Sequence, residues 1–256
     1  MDTKKLIVLV AIIAITAVSA MAQYGIKFGD LEVDESNASD IFGNGTAAYY
    51  ADQNVLVLRE GFEFHLSKNF VSFETGRDII IRLEGDAEIV ASVDCIDNLY
   101  IEGAGSHKLT ITSNISGSAL KCPNLTIENG VTLNLLSRNS QNDMYALDCA
   151  GMLTVKEGNL KAEVTTARMA VAAESMVLEG CWMKKPKGGG INSIEGGICY
   201  ADGVPAKEVH ITVEGFSIEE NQDAAESVRK VFENGTIVII KDGRRYNLNG
   251  QLLQNN

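Results

Sequence analysis

Apolar and polar residues alternate one by one through the middle of this chain, and the alternation recurs in register. One passage reads Ser92-Val93-Asp94-Cys95-Ile96-Asp97-Asn98-Leu99-Tyr100-Ile101-Glu102-Gly103. The next reads Ala119-Leu120-Lys121-Cys122-Pro123-Asn124-Leu125-Thr126-Ile127-Glu128-Asn129-Gly130, and a third Ala146-Leu147-Asp148-Cys149-Ala150-Gly151-Met152-Leu153-Thr154-Val155-Lys156-Glu157-Gly158. A fourth, degenerate copy runs from Ala170 to Gly180, with Ala173 where the others carry cysteine. Leu120 and Cys122 point one way and Lys121 the other; Leu125 and Ile127 match them, against Thr126 and Glu128. A period of two is the signature of strand. After each closing Gly a further strand pattern follows: Lys108–Thr112, Val131–Leu135 and Leu160–Val164. No 3.6-residue stripe long enough for a helix lies between Asp78 and Gly180.

About three short strands in each 27 residues, recurring at fixed spacing, define a solenoid. The pattern predicts an all-β, right-handed parallel β-helix of about 27 residues per coil, with five to seven coils. A left-handed β-helix would need a hexapeptide repeat, which the sequence lacks. A β-sandwich would make the recurrence a coincidence.

The ends break the pattern. Residues 23–66 read as an N-terminal β cap, with a hairpin over Tyr24–Val33 and strands around Tyr49-Tyr50 and Val55–Leu58. A cap is required because a terminal rung is an open sheet edge. Coils are expected over 67–213 and an acidic linker over 214–230. A C-terminal β tail follows over 231–256, marked by the hairpin signals Asn234-Gly235 and Asp242-Gly243. Before the cap, Lys4-Lys5, an apolar run from Leu6 to Val18 and the small-residue exit Ala20-Met21-Ala22 predict a secretory signal peptide over 1–22. A single membrane anchor is the alternative for this segment. The expected location is secreted or cell surface, with the periplasm as the alternative.

The formal net charge is −12, and −13 without Asp2, Lys4 and Lys5. Such acidity argues against nucleic acid or an anionic membrane as partner. Five cysteines in an exported chain normally signal disulfides. Here Cys95, Cys122 and Cys149 occupy one repeat position, and Ala173 replaces them in the fourth copy. They read as small, inward, reduced residues in a ladder. A metal centre would need companion histidines that the sequence does not place beside them.

The Gly-closed Leu-Thr-Ile-Glu-x-Gly coils, the opening Tyr24–Val33, Lys185-Pro186-Lys187-Gly188-Gly189 and Gly203–Val209 together resemble the carbohydrate-binding-domain-containing β-helix proteins exported by Bacteroidetes. The resemblance covers Tyr24 to Val213. The closing Ile239-Ile240-Lys241-Asp242-Gly243 block with Tyr246-Asn247 resembles short C-terminal tails related to type IX secretion sorting domains. The resemblance implies an exported β-helix with a glycan as ligand.

Candidate chemistry is sparse. His65, His107 and His210 fall in unrelated contexts, and no nucleophile elbow, zinc-protease helix or phosphate loop is present. Asp94, Lys121 and Asp148 should form an outward column. That column reads either as an active row of a polysaccharide lyase or as a charge-matched ladder. Asp30, Glu32 and Asp34 with Asn37 and Asp40 hint at calcium but lack the ligand pattern of an EF-hand. The only Trp, Trp182, sits beside Lys184, Lys185 and Lys187, ahead of Gly188-Gly189-Gly190. An indole face can pack on a sugar ring, so these four residues are the expected ligand-binding site; the competing reading makes Trp182 a plug at the end of the stack. The sequence therefore points to a non-catalytic exported protein that binds a polysaccharide, another glycan or a cell surface. No catalytic residues, metal or cofactor are expected. A β-helix lyase or hydrolase and a structural, adhesin-like protein are the alternatives.

Overall fold

The computed structural model describes residues 23–114, 117–138 and 144–214, and the backbone of three further strands between 228 and 246. The expected signal peptide and acidic linker lie outside the described residues, apart from Glu214 and the start of the first late strand. Two compact units result, one through Glu214 and one from Gly215.

The first unit opens with the antiparallel hairpin β1 (Gln23–Phe28) and β2 (Leu31–Asp34), followed by a second pair, β3 (Ala47–Tyr50) and β4 (Val55–Arg59). Then come β5 (Phe62–Phe73), β6 (Ile79–Glu84), β7 (Ala87–Cys95), β8 (Leu99–Gly103), β9 (Lys108–Ser113), β10 (Leu120–Cys122), β11 (Leu125–Glu128), β12 (Thr132–Ser137), β13 (Leu147–Cys149), β14 (Met152–Lys156), β15 (Asn159–Val164), β16 (Val171–Ala172) and β17 (Ser175–Glu179). Each strand pairs in parallel with its counterpart one coil away, which makes a three-sided parallel β-helix of about five turns. Face I holds the second halves of β5 and β7, then β10, β13 and β16. Face II holds β4, β6, β8, β11, β14 and β17. Face III holds the first halves of β5 and β7, then β9, β12 and β15.

The fold follows from the alternation. Along face II, Ile79, Leu99, Leu125 and Leu153 pair rung to rung and are all buried, as are Ile81, Ile101, Ile127 and Val155. Each such side chain contributes on the order of 1.5–3 kcal/mol by leaving water. The backbone groups are satisfied between coils rather than within them. The corner between faces I and II adds a polar ladder. Asn98 Nδ2 donates to Asp78 Oδ1 at 2.8 Å, Asn124 Nδ2 to Asn98 Oδ1 at 2.7 Å, and Met152 N to Asn124 Oδ1 at 2.7 Å.

The cysteine ladder is as expected: Phe73, Cys95, Cys122, Cys149 and Ala173 succeed one another inward on face I, each no more than 3 % exposed. All five cysteines are free and buried. Burial pushes the Cys95 thiol up to about 12, so at neutral pH it is held as the protonated thiol. A thiol reagent should label none of the five in the native protein. All five should react in denaturant, with the same count whether or not reductant is present. A lower count without reductant would reveal a disulfide.

The parallel ladder starts at Val55, earlier than the expected 67, because β4 already pairs in parallel with β6. It ends at Glu179 rather than running to 213. Beyond it, β18 (Trp182–Lys185), β19 (Gly190–Asn192), β20 (Gly197–Cys199) and β21 (Glu208–Thr212) close the stack with antiparallel pairings. β21 lies against β15, and β20 against β16, where a Cβ on Gly197 would come within 2.3 Å of the Val171 carbonyl oxygen. Only glycine allows that approach. The second unit is an antiparallel sheet of β22 (Val228–Glu233), β23 (Thr236–Lys241) and β24 (Arg244–Tyr246), paired in chain order as the two hairpin signals require.

Candidate functional site

The outward columns carry charge. Asp94, Lys121, Asp148 and Ala172 stand in successive rungs of face I. Burial raises the Asp148 carboxyl above the ordinary carboxylate range; Lys121 opposes that shift and Asp94 adds to it. On face II, Arg59 meets Glu84 at 3.1 Å, Arg82 meets Glu102 at 2.7 Å and Lys156 meets Glu179 at 3.7 Å. These are cross-strand pairs of the kind that steady a sheet.

The acidic hairpin is occupied with its own turns. Asp34 Oδ1 accepts from the Ser36 amide and hydroxyl, at 2.8 and 2.6 Å. Asp40 Oδ1 accepts from the amides of Asn44 and Gly45, and Glu32 meets Lys27 at 3.4 Å. Among the described residues no cluster of three or more metal-ligating side chains forms. His65, His107 and His210 sit on different rungs, on β5, ahead of β9 and on β21.

Trp182 is neither a core plug nor a free platform. It pairs with Thr212 on the outward side of β21, while its neighbour Met183 packs inward. The indole is half-buried, and its Nε1–H donates to the Glu214 carbonyl at 2.9 Å. Thr212 Oγ1 donates to Asn159 Oδ1 at 2.9 Å, tying β21 to the last regular coil. Lys185 holds both carboxylate oxygens of Glu208, at 3.1 and 2.9 Å, while Lys184 and Lys187 are exposed. The nearby cleft of about 450 Å³ is lined by Gly188–Ile194 and by Cys199–Ala201 with Gly203, and by none of the four expected residues.

A second cleft, of about 490 Å³, lies in the N-terminal cap, where the sequence predicted only a closing structure. Its walls are Gln23, Tyr24, Gly25, Lys27 and Glu32 from the hairpin, Tyr49 and Ala51 from the second pair, and Glu74, Thr75 and Arg77 from the first corner. Gly25 makes the junction possible: φ is +71°, and a Cβ there would strike the Glu74 carbonyl. The rings of Tyr24 and Tyr49 stand 5.2 Å apart at 53°. Burial raises the Tyr49 hydroxyl above its usual value, so it stays protonated and donates to Asn54 Oδ1. Asn54 Nδ2 in turn reaches Thr75 Oγ1 at 2.9 Å and the carbonyls of Arg77 and Asp78 at 3.1 and 2.6 Å. Gln23 Nε2 donates to Glu32 Oε2 at 3.0 Å across the mouth. The cleft thus sets carboxylates, an amide and a guanidinium around tyrosine. One signal for it was present in the sequence: nine of the 16 aromatic residues fall before residue 74.

Compared with protein-family models, curated proteins and solved structures, the chain matches none.

Proposed function

We propose that this chain is an exported, non-catalytic β-helix protein that binds a neutral glycan at the N-terminal cleft. The observation that carries this reading is the cleft's composition. Its volume falls in the range of small-molecule sites. An aromatic wall beside acceptors and donors of both charges suits a sugar's apolar face and its hydroxyls. Glu32 and Glu74 are balanced by Lys27 and Arg77 around it, which favours an uncharged ligand. The strand with Trp182 is the second candidate. Its exposed Lys184 and Lys187 would favour carboxylated or sulfated glycans instead, with Lys185 released from Glu208.

An array of neutral and acidic oligosaccharides separates these. Binding to neutral glycans is expected, with Tyr24→Ala weakening it tenfold or so, about 1.4 kcal/mol, and Trp182→Ala leaving it unchanged. Binding confined to acidic glycans and lost with Trp182→Ala would move the site to β18. A blank array with retained adhesion to cells would favour the adhesin reading, and cleavage of a polysaccharide would favour the enzyme.

A further inference from the structure

We infer that the C-terminal edge of face II is a self-association surface, at which β17 pairs antiparallel with β17 of a second copy of this chain. This inference is independent of the glycan reading.

The other two C-terminal rungs are covered. β16 is closed by β20 and β15 by β21. At the opposite end of face II, the outer edge of β3 is taken by the preceding loop, with Tyr49 N donating to Ala38 O at 2.7 Å and Ile41 N to Ala47 O at 3.0 Å. Among the described residues β17 pairs with β14 alone. Ser175 N donates to Gly151 O, and Glu157 N donates to Glu179 O, so residues 175, 177 and 179 direct their backbone groups toward β14. By alternation, the N–H and C=O groups of Met176 and Leu178 point off the edge. Among the described residues nothing meets them there. The core is thin at this rung as well: Met176 and Leu178 are half-buried, while Leu153 and Val155 beneath them are fully buried.

Bare strand edges usually carry lysine, proline or a bulge that prevents pairing. β17 reads Ser-Met-Val-Leu-Glu and carries none of these. Its chemistry is instead palindromic: polar, apolar, apolar, apolar, polar. A two-fold axis through Val177 therefore sets Ser175 against Glu179 of the partner, Met176 against Leu178, and Val177 against its own copy. Met176 and Leu178 then exchange both backbone bonds, and Val177 forms the close non-hydrogen-bonded pair. Like charges are not opposed, and the inward residues complete each other's cover. Val177 (37 % exposed) and Met152 (44 % exposed) supply apolar surface on the outer side of the same two strands. An isologous contact of this kind closes on itself as a dimer.

Cross-linking tests the register. The native cysteines are buried, so one introduced at the edge reports alone. Exported chain carrying Val177→Cys, with its C-terminal unit in place, should form a reducible covalent dimer under mild oxidation, because opposed residues at such a pair lie within disulfide reach. Thr126→Cys, in the same outward column two strands in, should remain monomeric. In sedimentation the unmodified protein should be dimeric at micromolar concentration. Val177→Lys, which opposes like charges on the axis, should weaken that dimer roughly tenfold without lowering the thermal midpoint of the monomer. A monomeric unmodified protein, or cross-linking of Val177→Cys no faster than Thr126→Cys, would overturn the proposal. So would a dimer that Val177→Lys leaves intact.

Discussion

Leu125→Ala should lower the unfolding free energy by about 2–5 kcal/mol, whereas Thr126→Ala, one residue on, should change it by no more than about 0.5 kcal/mol. Leu125 is completely buried between Leu99 and Leu153 of the adjoining rungs. Truncation there leaves a cavity in the middle of the stack that neither neighbour can fill without moving its own coil. Thr126 lies half-exposed on the outward face between Tyr100 and Thr154. Because the side-chain period is two, a one-residue error in register would exchange the two outcomes. The difference in urea midpoint between the two variants, at unchanged slope, is therefore a direct reading of the register. The larger loss should also reach beyond one rung, because each coil of a solenoid is stabilised chiefly by its neighbours.

That register was legible because the repeat writes it several times. Cys95, Cys122 and Cys149 mark one inward column, and Asp94, Lys121 and Asp148 the outward column beside it. Both are found as read. The limits of the stack were not legible. The first coils carry Phe73 rather than a cysteine at the marker position, so the copies that define the period do not reach them. Spacing also drifts: Ile79 pairs with Leu99, 20 residues on, but Leu125 with Leu153, 28 residues on. Corners absorb the difference, since a parallel rung fixes strand register and leaves loop length free. At the other end, β21 reads as one more apolar-alternating strand, Glu-Val-His-Ile-Thr, and alternation is blind to chain direction. Its antiparallel pairing depends on β15, whose partnered Ala162 and Glu163 lie more than 40 residues earlier.

The site was harder to read for a related reason. Trp182 is conspicuous as the only Trp, yet its role depends on Thr212 and Glu214, which no local pattern brings to it. The N-terminal cleft is assembled from three separate segments around residues 24, 50 and 75. No two of them are related by the repeat. What a sequence can show of such a cleft is the concentration of aromatics and charges in the cap. What joins them is the residue at their junction.

That residue is Asn54, and its replacement carries the second large expectation. Asn54→Ala should cost about 3–5 kcal/mol, from buried polar groups left without partners and from a left-handed backbone imposed on alanine. Asn54 is 2 % exposed, and its φ is 56°. Its side chain accepts from the Tyr49 hydroxyl and donates toward Thr75, Arg77 and Asp78, which fastens the cap to the first corner of the coil. Asn54→Gly removes the same bonds but relieves the backbone, so it should be milder by about 1–2 kcal/mol. Asn54→Asp keeps the acceptor for Tyr49 but turns a carboxylate oxygen toward the Arg77 and Asp78 carbonyls. It should therefore be no better tolerated than alanine at neutral pH. Urea unfolding of the three variants separates the backbone contribution from the hydrogen bonds. Because Tyr49, Thr75 and Arg77 all line the cleft, the proposed glycan binding should fall with the hydrogen bonds, in Asn54→Gly as much as in Asn54→Ala. If Asn54→Gly lost stability but bound glycan as before, the cleft would not be the seat of binding.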